Sequence, residues 1–320
     1  LTETQEGFRR NRNTQRQIMW LQSMLEDAHR TPQSIRMAYI DFRSAYSSVS
    51  HSKLLDVLEW HGLPPDYIRA IDHLYREMGG RKPSTVVATP HGDTDPVQCE
   101  RGLGQGDGLS SYTFCLFIQP MLDWLGSDGC SYRPGLFTQS PDEPGHGEGA
   151  FADDIVLLSR CAAHMKQQLS KVNDFCAWSG METNNGKCAY TGWEPGCTGP
   201  GRRGAAKAAA FKEQLERERD TFQLCDAQNT EKIEVLGAHE TYPYLGVDIS
   251  ADLRTDGQFK TLLKRTKEKM SALRQAGLTR GETLLALREN VVPSIRYRLG
   301  LGLLKPAEIY KIAAVIASGA

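Results

Sequence analysis

Two adjacent carboxylates, Asp153 and Asp154, lie between two mainly apolar segments of this chain, residues 149–152 and 155–158. Both segments are predicted to be strands, so the aspartates would occupy the turn between them. Two carboxylates held in a half-buried turn repel each other unless a cation shares the site. The pattern therefore predicts a hairpin that holds a divalent metal ion through oxygen ligands, and a solvated Asp-Asp turn is the alternative.

A third carboxylate, Asp41, follows the mostly apolar segment 35–40, which is predicted to be a buried strand. An aspartate at the end of a strand is commonly a turn or cap residue, and that alternative stays open. Together with Asp153 and Asp154, however, Asp41 would complete a set of three carboxylates. Such a set suits two divalent ions about 3.5 to 4 Å apart, an arrangement used for in-line phosphoryl displacement.

A glycine-rich loop, residues 101–108, precedes a predicted helix at 112–125. Its alternating glycines allow the backbone to pass close to a ligand. The spacing does not fit a dinucleotide-binding GxGxxG motif, and the chain contains no GxxxxGK[ST] sequence. If Asp107 or Ser110 caps the helix, the loop offers free backbone N–H groups to an anion or polar ligand, whereas a plain flexible loop is the alternative.

These segments, taken in order, resemble the palm of a reverse transcriptase, and are similar to the enzymes of non-LTR (LINE-type) retrotransposons. The resemblance is carried by Asp41-Phe42-x-x-Ala45-Tyr46, Arg101-Gly102-x-x-Gln105-Gly106-Asp107-x-Leu109-Ser110 and Phe151-Ala152-Asp153-Asp154. Three further segments also match: Gln5-x-Gly7-Phe8-Arg9, Gly180-Met181-x-x-Asn184-x-x-Lys187 and Tyr244-Leu245-Gly246-Val247. The similarity runs in collinear order from residue 5 to about residue 250.

The resemblance implies a metal-dependent active site. Asp41 and Asp153 would be the principal ligands of two Mg²⁺ ions, with Mn²⁺ as an alternative, and Asp154 would be a supporting carboxylate. Lys187 would neutralise or protonate the departing pyrophosphate, although a surface lysine on a turn is an open alternative. Tyr46 would lie against the sugar of the incoming nucleotide and exclude a 2′-OH, unless it is a core tyrosine.

The resemblance also implies binding residues for the nucleic acid and the nucleotide. The nucleotide and template would be contacted by Phe42, Tyr46, Arg101, Gln105 and Gly106. The turn Tyr244, Leu245 and Gly246 would form the primer grip, the hairpin that supports the end of the primer, with a plain hairpin as the alternative. The expected partners are an RNA template, a DNA primer and dNTPs, without a membrane; the oligomeric state is left open.

Composition and charge are compatible with this reading. The net charge is −1, but residues 251–320 contain 13 Lys and Arg against 6 Asp and Glu, so one part of the chain is basic. Basic surfaces on a nearly neutral chain suit a protein that binds the phosphate backbone of a nucleic acid. The eight cysteines show no CxxC or paired Cys/His spacing, which argues against a zinc site and a disulfide framework. We therefore expect an intracellular, nuclear protein.

The predicted fold class is α+β: a right-hand polymerase palm with an antiparallel sheet packed on helices, partial fingers and the start of a helical thumb. Partial fingers would occupy residues 1–34, and the palm residues 35–250, with a finger hairpin at 84–100 and an insertion near 195–234. The Gly/Pro/Arg-rich start of the insertion, residues 195–204, is predicted to be a linker. Residues 255–320 would begin a truncated thumb. The resemblance also predicts that the chain is a fragment that lacks most of the fingers, and it leaves the activity of the isolated fragment open.

The predicted function is RNA-directed DNA polymerisation by two-metal nucleotidyl transfer to a primer 3′-OH. A catalytically inactive or domesticated palm that binds RNA is the main alternative, and it would keep the fold and the basic surfaces. An RNA-dependent RNA polymerase would share the carboxylates, but Tyr46 favours deoxynucleotides. A two-metal nuclease is a third alternative, against which the collinear motifs argue.

Overall fold

The computed structural model describes residues 1–75, 84–98, 101–104, 106, 108–127, 129–135, 145–224, 232–299, 301 and 304–318. The chain divides into two compact units. The first contains Leu1–Thr14, Ile35–Tyr190 and Glu216–Val235, and the second contains Gln15–Ser34, Thr191–Leu215 and Leu236–Ala320. The division into fingers, palm and thumb stays a prediction.

Eleven α-helices and one π-helical turn, Leu287–Val291, occur in the described residues. The α-helices are α1 (Thr14–Arg30), α2 (Ala45–Ser48), α3 (His51–Trp60), α4 (Pro65–Tyr75), α5 (Ser110–Gly126), α6 (Ala162–Ser179), α7 (Gly201–Arg219), α8 (Asp256–Gln275), α9 (Arg280–Ala286), α10 (Val292–Leu299) and α11 (Pro306–Ala317). None of these helices is both long and apolar enough to cross a membrane.

Eleven short strands accompany them in the same residues. They are β1 (Ile35–Ile40), β2 (Ser84–Thr85), β3 (Ala88–Thr89), β4 (Gly92–Asp93), β5 (Val97–Gln98), β6 (Glu148–Phe151), β7 (Asp154–Ser159), β8 (Ala189–Trp193), β9 (Glu234–Val235), β10 (Thr241–Tyr244) and β11 (Val247–Ser250). β2 pairs with β5, and β3 with β4, both antiparallel. The strand pairing of the predicted hairpin at 84–100 is therefore confirmed in its described part.

The central sheet has five strands in the order β6-β7-β1-β8-β9. β1 is antiparallel to β7, which is antiparallel to β6, and the short pair of β8 with β9 is parallel. Every residue of β1 is buried, which explains why its sequence is almost continuously apolar instead of alternating. The predicted α+β class, with an antiparallel-rich sheet packed on helices, is confirmed.

Helices α5 and α6 supply much of the core of the first unit. Phe114, Phe117, Ile118 and Leu122 of α5 are fully buried. Their spacing of three and four residues places them on one stripe of the helix. Ser110 is the first residue of α5, and the preceding cap residue, Leu109, makes no side-chain cap hydrogen bond. The expectation that Ser110 caps this helix is therefore wrong, and Asp107 lies outside the described residues.

The second unit contains the helices that follow residue 255. Their core consists of Leu262, Met270, Leu287, Val291, Ile295 and Ile312, which come from α8, the π-helical turn, α10 and α11. The β10–β11 hairpin belongs to the same unit. The all-helical pattern predicted for this part of the sequence is confirmed in its described residues.

The predicted insertion is attached to the central sheet by a buried ion pair. Its expected linker, residues 195–204, is shorter than predicted, because α7 already begins at Gly201. At the end of α7, Glu218 accepts hydrogen bonds from Arg36 Nε at 2.9 Å and Arg36 Nη2 at 3.0 Å. Tyr190 also donates its hydroxyl to Glu218 at 2.6 Å, and burial raises the pKa of this tyrosine.

Removal of Glu218 is expected to destabilise the first unit. Glu218→Ala leaves the guanidinium of Arg36, whose side chain is 5% exposed, without its carboxylate partner. We expect the free energy of unfolding to fall by about 2–3 kcal/mol, measured by urea denaturation. Glu216→Ala, an exposed position on the same helix, is the matched control. An equal effect of both substitutions would show that the ion pair contributes little.

Candidate active site

The two aspartates lie in and beside the turn of the β6–β7 hairpin, as predicted. Phe151 pairs with Asp154, so Ala152 and Asp153 form a two-residue turn. Ala152 has a φ of 54°, the left-handed conformation that such turns require and that alanine disfavours. Asp153 is half-buried, whereas Asp154, the first residue of β7, is exposed.

The strained turn is held by Gln5, which is fully buried. The Gln5 Oε1 atom accepts hydrogen bonds from the backbone N–H of Ala152 at 2.9 Å and of Gly7 at 2.8 Å. The backbone N–H of Glu6 also donates to the carbonyl of Ala150 at 2.8 Å. A Cβ atom on Gly7 would lie 2.5 Å from the nitrogen of Ala152, so only glycine fits there.

This positioning role of Gln5 was missed by the sequence analysis. The residue entered that analysis only as part of a family match, without a contact. The available signal was a polar residue two positions before a glycine in the matching segment, but nothing in that signal identifies a partner 147 residues away.

Asp41 lies at the same end of the sheet as the β6–β7 turn. Ile40 of β1 pairs with Ile155 of β7, so Asp41 and Asp154 are the next residues on two neighbouring antiparallel strands. The predicted convergence of the three carboxylates at one edge of a single sheet is therefore confirmed. The backbone N–H of Asn184 donates to the Asp41 carbonyl at 2.8 Å, which brings the 180–187 segment beside this edge.

The three carboxylates influence one another electrostatically. Burial, together with the charges of Asp153 and Asp41, raises the pKa of Asp154 to about 6. Burial and the charge of Asp41 likewise raise the pKa of Asp153. Lys187 opposes both shifts, and its Nζ lies 4.0 Å from Asp41 Oδ2. This one exposed lysine does not neutralise three carboxylates.

The donor chemistry of this edge fits a hard divalent cation. Within the described ranges, no group of three or more His, Cys, Asp or Glu side chains is arranged to hold a metal ion. Asp41 Oδ2 is nevertheless buried and has no hydrogen-bond partner, which is costly for a carboxylate oxygen unless a cation compensates it. This oxygen is compatible with a cation at the edge, and the assignment of Asp41, Asp153 and Asp154 as metal ligands stays a prediction.

A divalent ion is expected to stabilise the protein in a pH-dependent manner. Near neutral pH, Mg²⁺ should raise the melting temperature, because it binds the folded carboxylates and relieves their repulsion. The rise should shrink below about pH 6, where protons compete for Asp154. Differential scanning calorimetry at several pH values with and without Mg²⁺ measures this effect.

In the metal-free protein, Asp154 should make the free energy of unfolding change with pH in the direction opposite to that of a typical carboxylate. Because the pKa of Asp154 is raised from 3.8 to about 6, the folded state holds more protons than the unfolded state between these values. The free energy of unfolding should therefore fall as pH rises through this window, by about 1 kcal/mol after allowance for solvent screening. Asp154→Asn should abolish this slope, and an unchanged slope would contradict the assigned cause.

Tyr46 lies on the short helix α2, next to the glycine-rich loop. Its ring stacks on that of Phe114, with centroids 4.6 Å apart and planes at 16°, and the residue is half-buried. Burial raises the pKa of Tyr46, a hydrogen bond with Ser111 opposes this, and the charge of Asp153 adds to it. The ring is thus near the carboxylate edge, the end of the sheet that carries Asp41, Asp153 and Asp154. Part of the ring stays accessible.

The predicted binding residues of the first unit have different environments. The backbone N–H of Leu103 donates to the Tyr46 carbonyl at 2.9 Å, so the glycine-rich loop adjoins α2. Arg101 is exposed, but its Nη1 donates to the Gly180 carbonyl at 3.2 Å. Phe42 is 4% exposed, and its backbone forms an isolated antiparallel β-bridge with Thr183. Any effect of Phe42 on substrates would therefore be indirect. Gly106 is exposed with a φ of 95°, and Gln105 lies outside the described residues.

The predicted primer grip is the turn between β10 and β11 in the second unit. Tyr244 is 2% exposed, and its hydroxyl accepts a hydrogen bond from Gln17 Nε2 at 3.0 Å. Leu245 and Gly246 occupy the turn with φ angles of 48° and 80°. Two left-handed residues in sequence define the tight turn that suits the twist of a hairpin.

Most of the chain matches a known protein family. Residues 1–249 match the family described as "Reverse transcriptase (RNA-dependent DNA polymerase)". The chain belongs to the reverse transcriptase family. The residues of the carboxylate edge and the β10–β11 turn all lie within the matched region.

The relatives of this reverse transcriptase domain include proteins of R2 elements. It is 25% identical over 279 residues to the Pol polyprotein from the retrotransposable element R2DM of Drosophila melanogaster, covering 87% of this chain and 23% of that protein. It is 28% identical over 175 residues to the R2 Pol polyprotein of Nasonia vitripennis, covering 52% of this chain and 15% of that protein. These relatives support the resemblance to non-LTR retrotransposons, and the chain spans less than a quarter of either.

Solved telomerase structures also align with this reverse transcriptase domain. The apo telomerase from Candida tropicalis aligns over 99% of this chain and 48% of that chain, with 14% identity and a TM-score of 0.45.

Proposed function

We propose that this chain is the polymerising part of an RNA-directed DNA polymerase of a non-LTR retrotransposon. It would extend a DNA primer with dNTPs on an RNA template, in the nucleus. The observation that carries the proposal is the convergence of Asp41 with the Asp153–Asp154 turn at one end of β1 and β7, in a chain of the reverse transcriptase family.

The reaction that fits this edge is nucleotidyl transfer. The primer 3′-oxygen attacks the α-phosphorus of a dNTP, the bond between the α-phosphorus and its bridging oxygen to the β-phosphate breaks, and pyrophosphate leaves. The hydroxyl proton passes to solvent. Two Mg²⁺ ions, or Mn²⁺ in their place, would supply charge stabilisation at the attacking and leaving oxygens when bound to Asp41 and Asp153.

The side chains of the protein would contribute to the reaction mainly by positioning the reacting groups and by supplying charge. Gln5 holds the turn that carries Asp153, and this fixes one carboxylate relative to the other. Lys187, whose Nζ lies 4.0 Å from Asp41 Oδ2 and whose side chain is 70% exposed, would neutralise or protonate the departing pyrophosphate. Tyr46 would border the sugar of the dNTP, close to Asp153.

Primer extension by the natural protein that contains this chain tests the proposal. RNA and DNA templates of the same sequence are each combined with dNTPs or with NTPs in the presence of Mg²⁺. We expect extension on the RNA template with dNTPs. Binding of RNA without extension would instead favour an RNA-binding palm, and extension only with NTPs would favour an RNA polymerase.

A further inference from the structure

The turn of the β10–β11 hairpin is held from outside by two consecutive side chains of α10. Tyr297 donates its hydroxyl to the carbonyl of Leu245 at 3.1 Å. Arg298 donates its Nε–H to the carbonyl of Gly246 at 2.7 Å. Both carbonyls of the two-residue turn are therefore bound by side chains 52 residues further along the chain.

The conformation of this turn needs such support. Leu245 has a φ of 48°, a left-handed conformation in which the side chain of an L-amino acid crowds its own backbone. Glycine follows it, so the second position is free of that crowding but also adds no side chain to stabilise the turn. On the strand before the turn, Tyr244 is buried and bonded to Gln17. The strand is thus anchored, and the turn itself depends on α10.

The charges around Arg298 suit a surface that meets a nucleic acid. Burial lowers the pKa of Arg298, the charge of Arg265 lowers it further, and Asp248 and Tyr297 oppose this. A second hydrogen bond, from Arg298 Nη1 to the Ser294 carbonyl at 3.2 Å, fixes the guanidinium on α10. Arg298 thus lies beside the turn and feels the charge of Arg265, and a phosphate group at this position would relieve the repulsion between the two arginines.

We propose that Tyr297 and Arg298 form a clamp that fixes the Leu245–Gly246 turn in the shape that supports the primer strand. Both are positioning residues, because they act through the turn. The ligand class is the sugar-phosphate end of a primer paired with its template. The inference rests on the proposed function for the identity of that ligand, whereas the clamp itself rests on the two hydrogen bonds to the turn.

Four variants separate the clamp from a general loss of charge. Arg298→Ala removes the guanidinium, and Tyr297→Phe removes only the hydroxyl and keeps the ring. Arg296→Ala is the matched control, since Arg296 is exposed on the same helix and its loss changes the net charge by the same amount as the loss of Arg298. Arg298→Lys keeps the charge but does not reproduce the planar donor group.

The first measurement is the dissociation constant for a fluorescent RNA–DNA primer-template, determined by anisotropy. We expect Arg298→Ala to raise it by about tenfold and Tyr297→Phe by about threefold, with Arg298→Lys close to Arg298→Ala. Arg296→Ala should change it by less than about twofold. Equal weakening by Arg296→Ala and Arg298→Ala, or full rescue by lysine, would overturn the clamp in favour of a simple charge effect.

The second measurement is hydrogen–deuterium exchange of the 241–250 segment without nucleic acid. Faster exchange is expected in Arg298→Ala and Tyr297→Phe, with β7 unchanged as the internal control. Unchanged exchange in both variants would overturn the inference. If Arg298→Ala unfolds α10, Tyr297→Phe still decides the outcome. Neither measurement requires synthesis, so failure of primer extension in the unmodified protein would reject the proposed function and leave the clamp to be judged by exchange.

Discussion

Asp153→Asn is expected to reduce RNA-templated primer extension by about 10³-fold or more, equivalent to about 4 kcal/mol of transition-state stabilisation. The substitution preserves the size of the side chain and its place in the Ala152–Asp153 turn, but it removes one negative ligand from the carboxylate edge. Binding of RNA should stay within about twofold, since the basic surfaces are untouched. Single-turnover extension and filter binding measure the two effects.

Asp174→Asn is the matched control for this loss of charge. Asp174 is an exposed residue on α6, in the same compact unit as Asp153. It should leave extension unchanged. Substantial synthesis by the Asp153→Asn variant would contradict the assignment of this residue as a metal ligand. Equal inactivation by both substitutions would point to a general effect of charge on the unit.

Tyr46→Ala is expected to reduce the preference for dNTPs over NTPs by about 10²-fold, or nearly 3 kcal/mol. Removal of the ring opens space for a 2′-OH and leaves Asp41 and Asp153 in place. Synthesis with dNTPs should persist. Competition between a dNTP and its matching NTP in single-nucleotide extension gives the preference directly.

The opposing hypothesis is that Tyr46 packs in the core and does not select the sugar. The ring stacks on Phe114, and its half-buried position means that truncation should also cost about 1–3 kcal/mol of stability. Tyr46→Phe is the matched control, because it keeps the stacked ring and removes the hydroxyl that faces Ser111. Loss of extension with both nucleotide classes, together with a lowered melting temperature, would show that Tyr46 serves the core and does not select the sugar.

The sequence alone was sufficient to predict the local structure around the carboxylates. The apolar segment before Asp41 is a fully buried strand, and Asp153 occupies the turn of a hairpin. Helix α5 also lies within a few residues of its predicted bounds at 112–125. Such features depend on side-chain periodicity and turn preferences of neighbouring residues, so they are encoded within a short window.

The limits of local inference are visible at the predicted linker and the glycine-rich loop. Glycines and prolines between 195 and 204 suggested an extended linker, yet α7 begins at Gly201. Arg101 was predicted to contact nucleotide or template, and it bonds to the carbonyl of Gly180, which ends α6 in a left-handed conformation. The partner of Arg101 thus comes from outside the glycine-rich loop, and its contact with nucleotide or template stays a prediction.

Only the tertiary structure identified the groups that hold the Ala152–Asp153 and Leu245–Gly246 turns. Gln5 reaches Ala152 across 147 residues, and Tyr297 reaches Leu245 across 52. Arg36 likewise meets Glu218 across 182 residues. The reason is physical: the type of a polar residue shows that it needs a partner when buried, but topology alone determines which partner is within hydrogen-bond distance.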